Sequence, residues 1–250
     1  MIIVDVGSAR GEFASFITDI SNDHVVYAIE PNPISAKKID HKVGIQVRNL
    51  AIANVDFPKT MKFSVSRNPE LGSLKQLNPN LDREIYSSHL ADVEVVELID
   101  VPVKSLFDFF REEGIAICDF LKIDAQGSDW EVVLSAGERI SDIRIIALEA
   151  AYEEKYSLYE DESNLRKITE GLDSLGFSIV WLVPNGGGEA NLIAYNRSMG
   201  LTKYFEMQSE LRLLEAPCLK LTGIKPHSQL QNFRRRLWFI ERRLRMLANG

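Results

Sequence analysis

Residues 2–16 read IIVDVGSARGEFASF. Its first five residues are apolar except for Asp5, as in a strand covered on both faces within a parallel sheet. The run then meets glycine at positions 7 and 11 and continues as GEFASFITDI, where Phe13, Phe16, Ile17 and Ile20 fall at helical spacing. A buried strand that turns through glycines into a helix opens a doubly wound α/β fold. Gly7 and Gly11 permit positive φ and close approach of a ligand to the backbone. The helix start adds unpaired N–H groups.

The same alternation runs outward from this unit. HVVYAIE reads as a second strand, PNPISAKKID opens a helix with proline in its first turn, and GIQVRNLAI reads as a third strand. Residues 57–103 break the rhythm: MKFSVS and VEVVELIDVPV alternate like strands around a polar loop at 68–89. SLFDFFREEG, SDWEVVLSAGERI and ESNLRKITEGLDSLG read as helices interleaved with the strands CDFLKIDA and IRIIALEA. FSIVWLV and NLIAYN, joined by PNGGGEA, read as a closing hairpin. This order predicts a mostly parallel sheet with helices on both faces and one antiparallel strand. The sheet pattern ends near Arg197. Residues 198–250 are expected to form a helical extension separate from a domain at 1–197.

Composition narrows the classes. The chain has 250 residues, 45% hydrophobic and 26% charged, ordinary values for a globular protein with a full core. Cys118 and Cys218 match no zinc or redox spacing, so both are expected as reduced thiols of a cytoplasmic protein, Cys118 in the core. The first residues lack the basic start of a signal peptide, and no apolar run approaches the ~18 residues of a membrane span. The net charge of −7 is uneven: residues 228–250 carry six Arg and one Glu, leaving −12 on the rest. An acidic body argues against nucleic acid as a partner.

Two acids and a second cluster point to a ligand. The run from Gly7 to Gly11 is not G-x-G-x-x-G, which argues against a nicotinamide cofactor. Asp5, just before the turn, suits an amino-acid ammonium better than a diphosphate. Glu30 ends the second strand, where an acid accepts hydrogen bonds from ribose hydroxyls. Together they suggest a nucleoside carrying an amino-acid group, S-adenosylmethionine; a helix cap at Asp5 and a surface charge at Glu30 are the plainer alternative. DFLKIDAQGSDWE, residues 119–131, ends a strand at Asp124 and starts a helix near Ser128, which puts Asp124 in the same crevice. Lys122, inside that strand, is expected either to snorkel at an edge or to pair with Asp119 or Glu149.

These stretches together resemble the FkbM family of S-adenosylmethionine-dependent methyltransferases. VDVGSARGEFA, VYAIEPNP, NLAIAN, LGSL at 71–74, VPVKSLFDFF, DFLKIDAQGSDWEVVLSAGE, IIALE and NLIAYNR carry the resemblance in order over about residues 2–197. It implies a Rossmann-like class I fold with seven strands. It also implies cofactor contacts from Asp5, Gly7, Ser8, Gly11, Glu30, Pro31, Asn49, Ala51 and Asp124, and methylation of hydroxyl groups on sugars, glycans or secondary metabolites. The sequence departs from the family at Gln126, where an acid is usual. It also starts at the first strand, so a lid is expected from residues 68–92 or from the C-terminal region.

Methyl transfer to a hydroxyl needs close alignment and a proton acceptor. The candidates are Asp124, Glu149, which ends the next strand, and His89 in the inserted loop. No His/Cys cluster suggests zinc, and no metal is expected. Within residues 228–248, Leu230, Phe233, Leu237, Ile240, Leu244 and Leu247 form a narrow apolar seam flanked by arginines. Such a helix fits docking on its own domain or homodimerisation, with peripheral contact to an anionic membrane as the sharper alternative. A non-catalytic cofactor-fold module acting through this helix is the competing function.

Overall fold

The computed structural model describes residues 1–56, 59–81, 90–186 and 188–213. Seven strands form the main sheet: β1 (Ile2–Val6), β2 (Val25–Ile29), β3 (Ile45–Arg48), β7 (Cys118–Ile123), β8 (Ile143–Ala151), β9 (Phe177–Gly186) and β10 (Glu189–Asn196). Their order is β3-β2-β1-β7-β8-β10-β9. All neighbours from β3 to β8 are parallel, and β10 is antiparallel to both β8 and β9. This is the expected seven-stranded Rossmann-like sheet with one reversed strand. The direction changes between β1 and β7, so the crevice at their carboxyl ends is the topological switch point.

Alternation along β1 explains its composition. Val4 and Val6 pack with Phe109, Phe110 and Trp130 on one face. Ile3 packs with Phe13, Ile17 and Phe120 on the other. Helices α3 (Leu106–Glu112), α4 (Asp129–Leu134) and α5 (Leu165–Ser174) supply the first layer, and α1 (Glu12–Ile20) supplies the second. Between β2 and β3 the chain forms the short α2 (Pro33–Ala36), capped by the Asn32 side chain on the Ile34 N–H. Cys118 is a fully buried free thiol, which burial makes harder to ionise.

Two expectations need correction. GIQVRNLAI is not one strand: the chain bends at Asn49 and Leu50, and β4 (Ala51–Ile52) leaves the main sheet. It joins β5 (Lys59–Ser66) and β6 (Val95–Lys104) in a second, three-stranded sheet of order β4-β6-β5. An apolar run shared by two sheets looks like one strand in sequence. The separation expected at Arg197 is also not seen in the described residues. Helix α6 (Gly200–Glu210) buries Tyr204 and Met207 in the α1-side core, together with Leu211 and Leu213. Its weakly patterned sequence hid an ordinary core helix. His89 and the basic segment 228–248 lie outside the described residues.

Candidate active site

The site grows from backbone geometry at the ends of β1 and β2. The N–H groups of Gly7 and Ser8 both donate to the Ile29 carbonyl at 3.0 Å, which folds the glycine turn onto the end of β2. Gly7 has φ of 75°, and a Cβ there would collide with the Asp124 carbonyl, so only glycine serves. The Ala9 N–H then donates to Glu30 Oε2 at 2.8 Å, and the Asn32 N–H donates to Oε1 at 2.8 Å. Glu30 is 4% exposed. Burial pushes its carboxyl up to about 7 against the opposing pull of these two donors.

Two adjoining hollows meet at this turn. The first is largely apolar, lined by Ile29, Leu50, Ala51, Ile52, Phe63 and Leu74 around Glu30 and Pro31. The second is polar, lined by Asp5, Ser8, Arg10, Glu12, Lys122 and Glu70. Gly7, Ala9, Glu70 and Asp124 line both.

The polar hollow is built on an ion pair. Asp5 is fully buried on β1, and the register sets Lys122 of β7 directly beside it. Lys122 Nζ lies 3.1 Å from Asp5 Oδ1 and 3.6 Å from Asp124 Oδ2. Of the expected partners, Asp119 instead pairs with Arg144 and accepts the Ile2 N–H. Neither Asp5 oxygen accepts a hydrogen bond among the described residues, so the lysine supplies charge balance without a well-directed bond.

The candidate residues therefore divide. Gly7, Glu30, Pro31, Ala51 and Asp124 line the apolar hollow, and Asp5, Gly7, Ser8 and Asp124 line the polar one. The Ser8 hydroxyl donates to the Asp5 carbonyl at 2.7 Å and so braces the turn. Gly11 and Asn49 line neither. Gly11 caps α1, where a Cβ would lie 2.6 Å from Ile39. Asn49 Nδ2 donates to the carbonyls of Glu30 and Pro31, clasping the end of β2 from outside. Glu149 lies near the end of β8 opposite Asn191 and lines neither hollow.

Sequence reasoning missed several groups. Lys122 was noticed without its partner; Asp5 and Lys122, each two positions before a strand-end landmark, carried the signal. The covering element is clearer here: Pro69, Glu70, Gly72 and Leu74 line the apolar hollow. Pro69 and Glu70 lie in the 3₁₀ turn Pro69–Leu71, Gly72 and Leu74 follow it, and all four belong to the expected lid range. Farther out, burial raises the carboxyls of Asp129, Glu162 and Glu189, the last to about 9 with Glu149 adding repulsion. Among the described residues no group of three or more His, Cys, Asp or Glu side chains is arranged to hold a metal ion. No described helix is long and apolar enough to cross a membrane.

The chain is similar to known proteins. The methyltransferase FkbM domain model matches residues 5–179. The 2-O-methyltransferase NoeI of Sinorhizobium fredii (strain NBRC 101917 / NGR234) is 25% identical over 190 residues, 74% of this chain and 75% of that protein. Among solved structures, a SAM-dependent methyltransferase from Aquifex aeolicus aligns with a TM-score of 0.39 at 12% identity, covering 78% of this chain and 82% of its own. The mitomycin 7-O-methyltransferase MmcR aligns with a TM-score of 0.38 at 14% identity, covering 78% of this chain and 48% of its own. With the family model spanning the glycine turn, the strand-end acids and the Lys122–Asp124 segment, the chain belongs to the FkbM methyltransferase family.

Proposed function

We infer that the protein is an S-adenosylmethionine-dependent O-methyltransferase acting on a hydroxyl of a sugar, glycan or small metabolite. The observation that carries this reading is Glu30. Its oxygens are each fixed by one backbone N–H, and the residue lines a largely apolar hollow. A carboxylate held this way keeps lone pairs for two vicinal ribose hydroxyls. Ala51, Ile52, Pro31 and Leu50 offer the apolar surface a purine needs. The polar hollow suits the amino-acid end: its Arg10 and Lys122 match a carboxylate, and Asp5 and Asp124 match an ammonium.

When bound, S-adenosylmethionine supplies an electrophilic methyl group. The chain's part is to hold the acceptor oxygen in line and to take its proton. Asp124, common to both hollows, is placed to accept that proton, with Glu149 as the second candidate on β8. The relative NoeI is a 2-O-methyltransferase, which supports oxygen as the methylated atom. The buried thiol Cys118 fits a reducing compartment, and we place the enzyme in the cytoplasm. The basic segment 228–248 is assigned a docking role, toward a second copy or an anionic membrane.

Titration calorimetry of the purified chain with S-adenosylhomocysteine tests the reading. Binding is expected, and Glu30→Ala should weaken it at least about tenfold, the loss of two charge-assisted hydrogen bonds. Absence of binding to the unmodified chain would overturn it.

A further inference from the structure

Gln126 occupies a position where its side chain joins two parts of the site. Its Nε2 donates to Asp124 Oδ1 at 2.7 Å. Its Oε1 lies 3.1 Å from the Tyr159 hydroxyl, which also reaches the Leu71 carbonyl at 2.8 Å. Its own carbonyl accepts the Ser73 hydroxyl at 2.7 Å. The residue is held at φ of 49°, in the left-handed region that non-glycine residues avoid. Tyr159 is 4% exposed, and burial pushes its phenol well above the ordinary range, so it stays a donor. An ionised carboxylate can only accept, so the amide must turn Nε2 toward Asp124 and Oε1 toward Tyr159.

Resting on the cofactor-site reading above, we propose that Gln126 is a positioning residue. Through Tyr159 it sets the Asp124 carboxylate and the covering residues 69–74 in one fixed relation. The amide fixes one carboxylate oxygen, which leaves Oδ2 beside Lys122. Tyr159 and Ser73 tie the same unit to the backbone at Leu71 and to the edge of β5, where Ser73 pairs with Ser64. In this chain a neutral amide fills the place and donates to Asp124. A carboxylate at the observed spacing would face Asp124 with like charge, and the two would have to share a proton.

The test uses the full chain labelled with ¹³C at aspartate carboxyls, with Asp124→Asn identifying the Asp124 resonance. In Gln126→Glu the Asp124 titration should move up by about one pH unit or more. In Gln126→Met and Tyr159→Phe it should move in the same direction by less, because one donor is lost or freed. Among the described residues, the charged groups near Asp124 include Lys122 and Asp5, Glu30, which follows β2, Asp129 of α4, Glu189 of β10, and Arg10, Glu12 and Glu70. They are unchanged across these variants, so the differences report the Gln126–Tyr159 pair. If Tyr159→Phe fails to fold, Gln126→Glu and Gln126→Met decide the matter. An Asp124 titration unchanged in Gln126→Glu would overturn the proposal. S-adenosylhomocysteine calorimetry on the same samples tests the cofactor reading separately. A chain that does not bind it yet shows the titration shift retains the positioning role and loses the cofactor assignment.

Discussion

Glu30 and Asp5 end neighbouring strands, both are buried, and both line the site, yet the chain satisfies them by different means. Glu30 rests on two backbone N–H donors supplied by the turns after β1 and β2. Asp5 rests on a side chain, Lys122, across the β1–β7 register. Backbone donors are fixed by the fold and carry no net charge, so Glu30 keeps a raised carboxyl and lone pairs for a ligand. A lysine brings a full charge, so Asp5 is balanced within the protein and depends on one neighbour. An acid at matching strand ends is thus held by backbone donors in one place and by a side-chain counter-charge in the other.

The sharpest break of this comparison removes the lysine. Lys122→Met leaves the fully buried Asp5 without its counter-charge, and stability should fall by about 3–5 kcal/mol, read from the urea midpoint. Adding Asp5→Asn should recover most of the loss, because the pair then contains no unbalanced charge. A single variant within about 1 kcal/mol of the parent would show that Asp5 is solvated or balanced by other groups.

A second test exploits the raised Glu30 carboxyl. It sits at about 7 in the folded chain against 4.5 as its ordinary value. The folded chain therefore binds more protons than the unfolded chain between about pH 4.5 and about pH 7. Its contribution to stability is present below this window, is lost as pH rises through it, and is level above. Ligand binding has the opposite sign, because ribose hydroxyls donate best to the ionised carboxylate. The affinity for S-adenosylhomocysteine should rise about tenfold from about pH 6 to about pH 8, following the ionised fraction. Glu30→Gln should bind more weakly and lose this slope. A parent chain with a flat profile would mean that Glu30 is already ionised at the lower pH, held by its backbone donors as firmly as Asp5 is by its lysine.

What the sequence makes legible follows the same division. Strand ends, glycine turns and the acids beside them are local features, and Gly7, Glu30 and Asp124 stand where local reasoning puts them. Pairings across strands depend on register, which no single stretch contains, so the Asp5–Lys122 pair is not legible in the sequence. Asn49 enters as a cofactor contact only through the family resemblance; in the structure its Nδ2 donates to the carbonyls of Glu30 and Pro31, a pairing that no local stretch shows. Tyr159 lies in a stretch without periodicity, and its place behind Gln126 arises only when residues 71, 126 and 159 converge. Helix α6 was set apart because an apolar surface shows its partner only once the sheet is folded.

The smallest expected effect concerns the contact that closes the polar hollow. Arg10 of the glycine turn and Glu70 of the covering turn lie 3.5 Å apart, each about half exposed. Exposed pairs contribute about 0–1 kcal/mol, because water screens the charges and two long side chains must be ordered. Glu70→Gln should therefore change S-adenosylhomocysteine affinity by less than about threefold, with the difference fading as salt is raised toward about 0.5 M. The buried Asp5–Lys122 pair, shielded from solvent, should show little of that salt dependence. A loss above about tenfold for Glu70→Gln would place Glu70 in direct contact with the ligand. The covering turn would then bind by side chain, as the Asp5 end of the site does, instead of by the backbone-anchored network of Leu71, Ser73 and Tyr159.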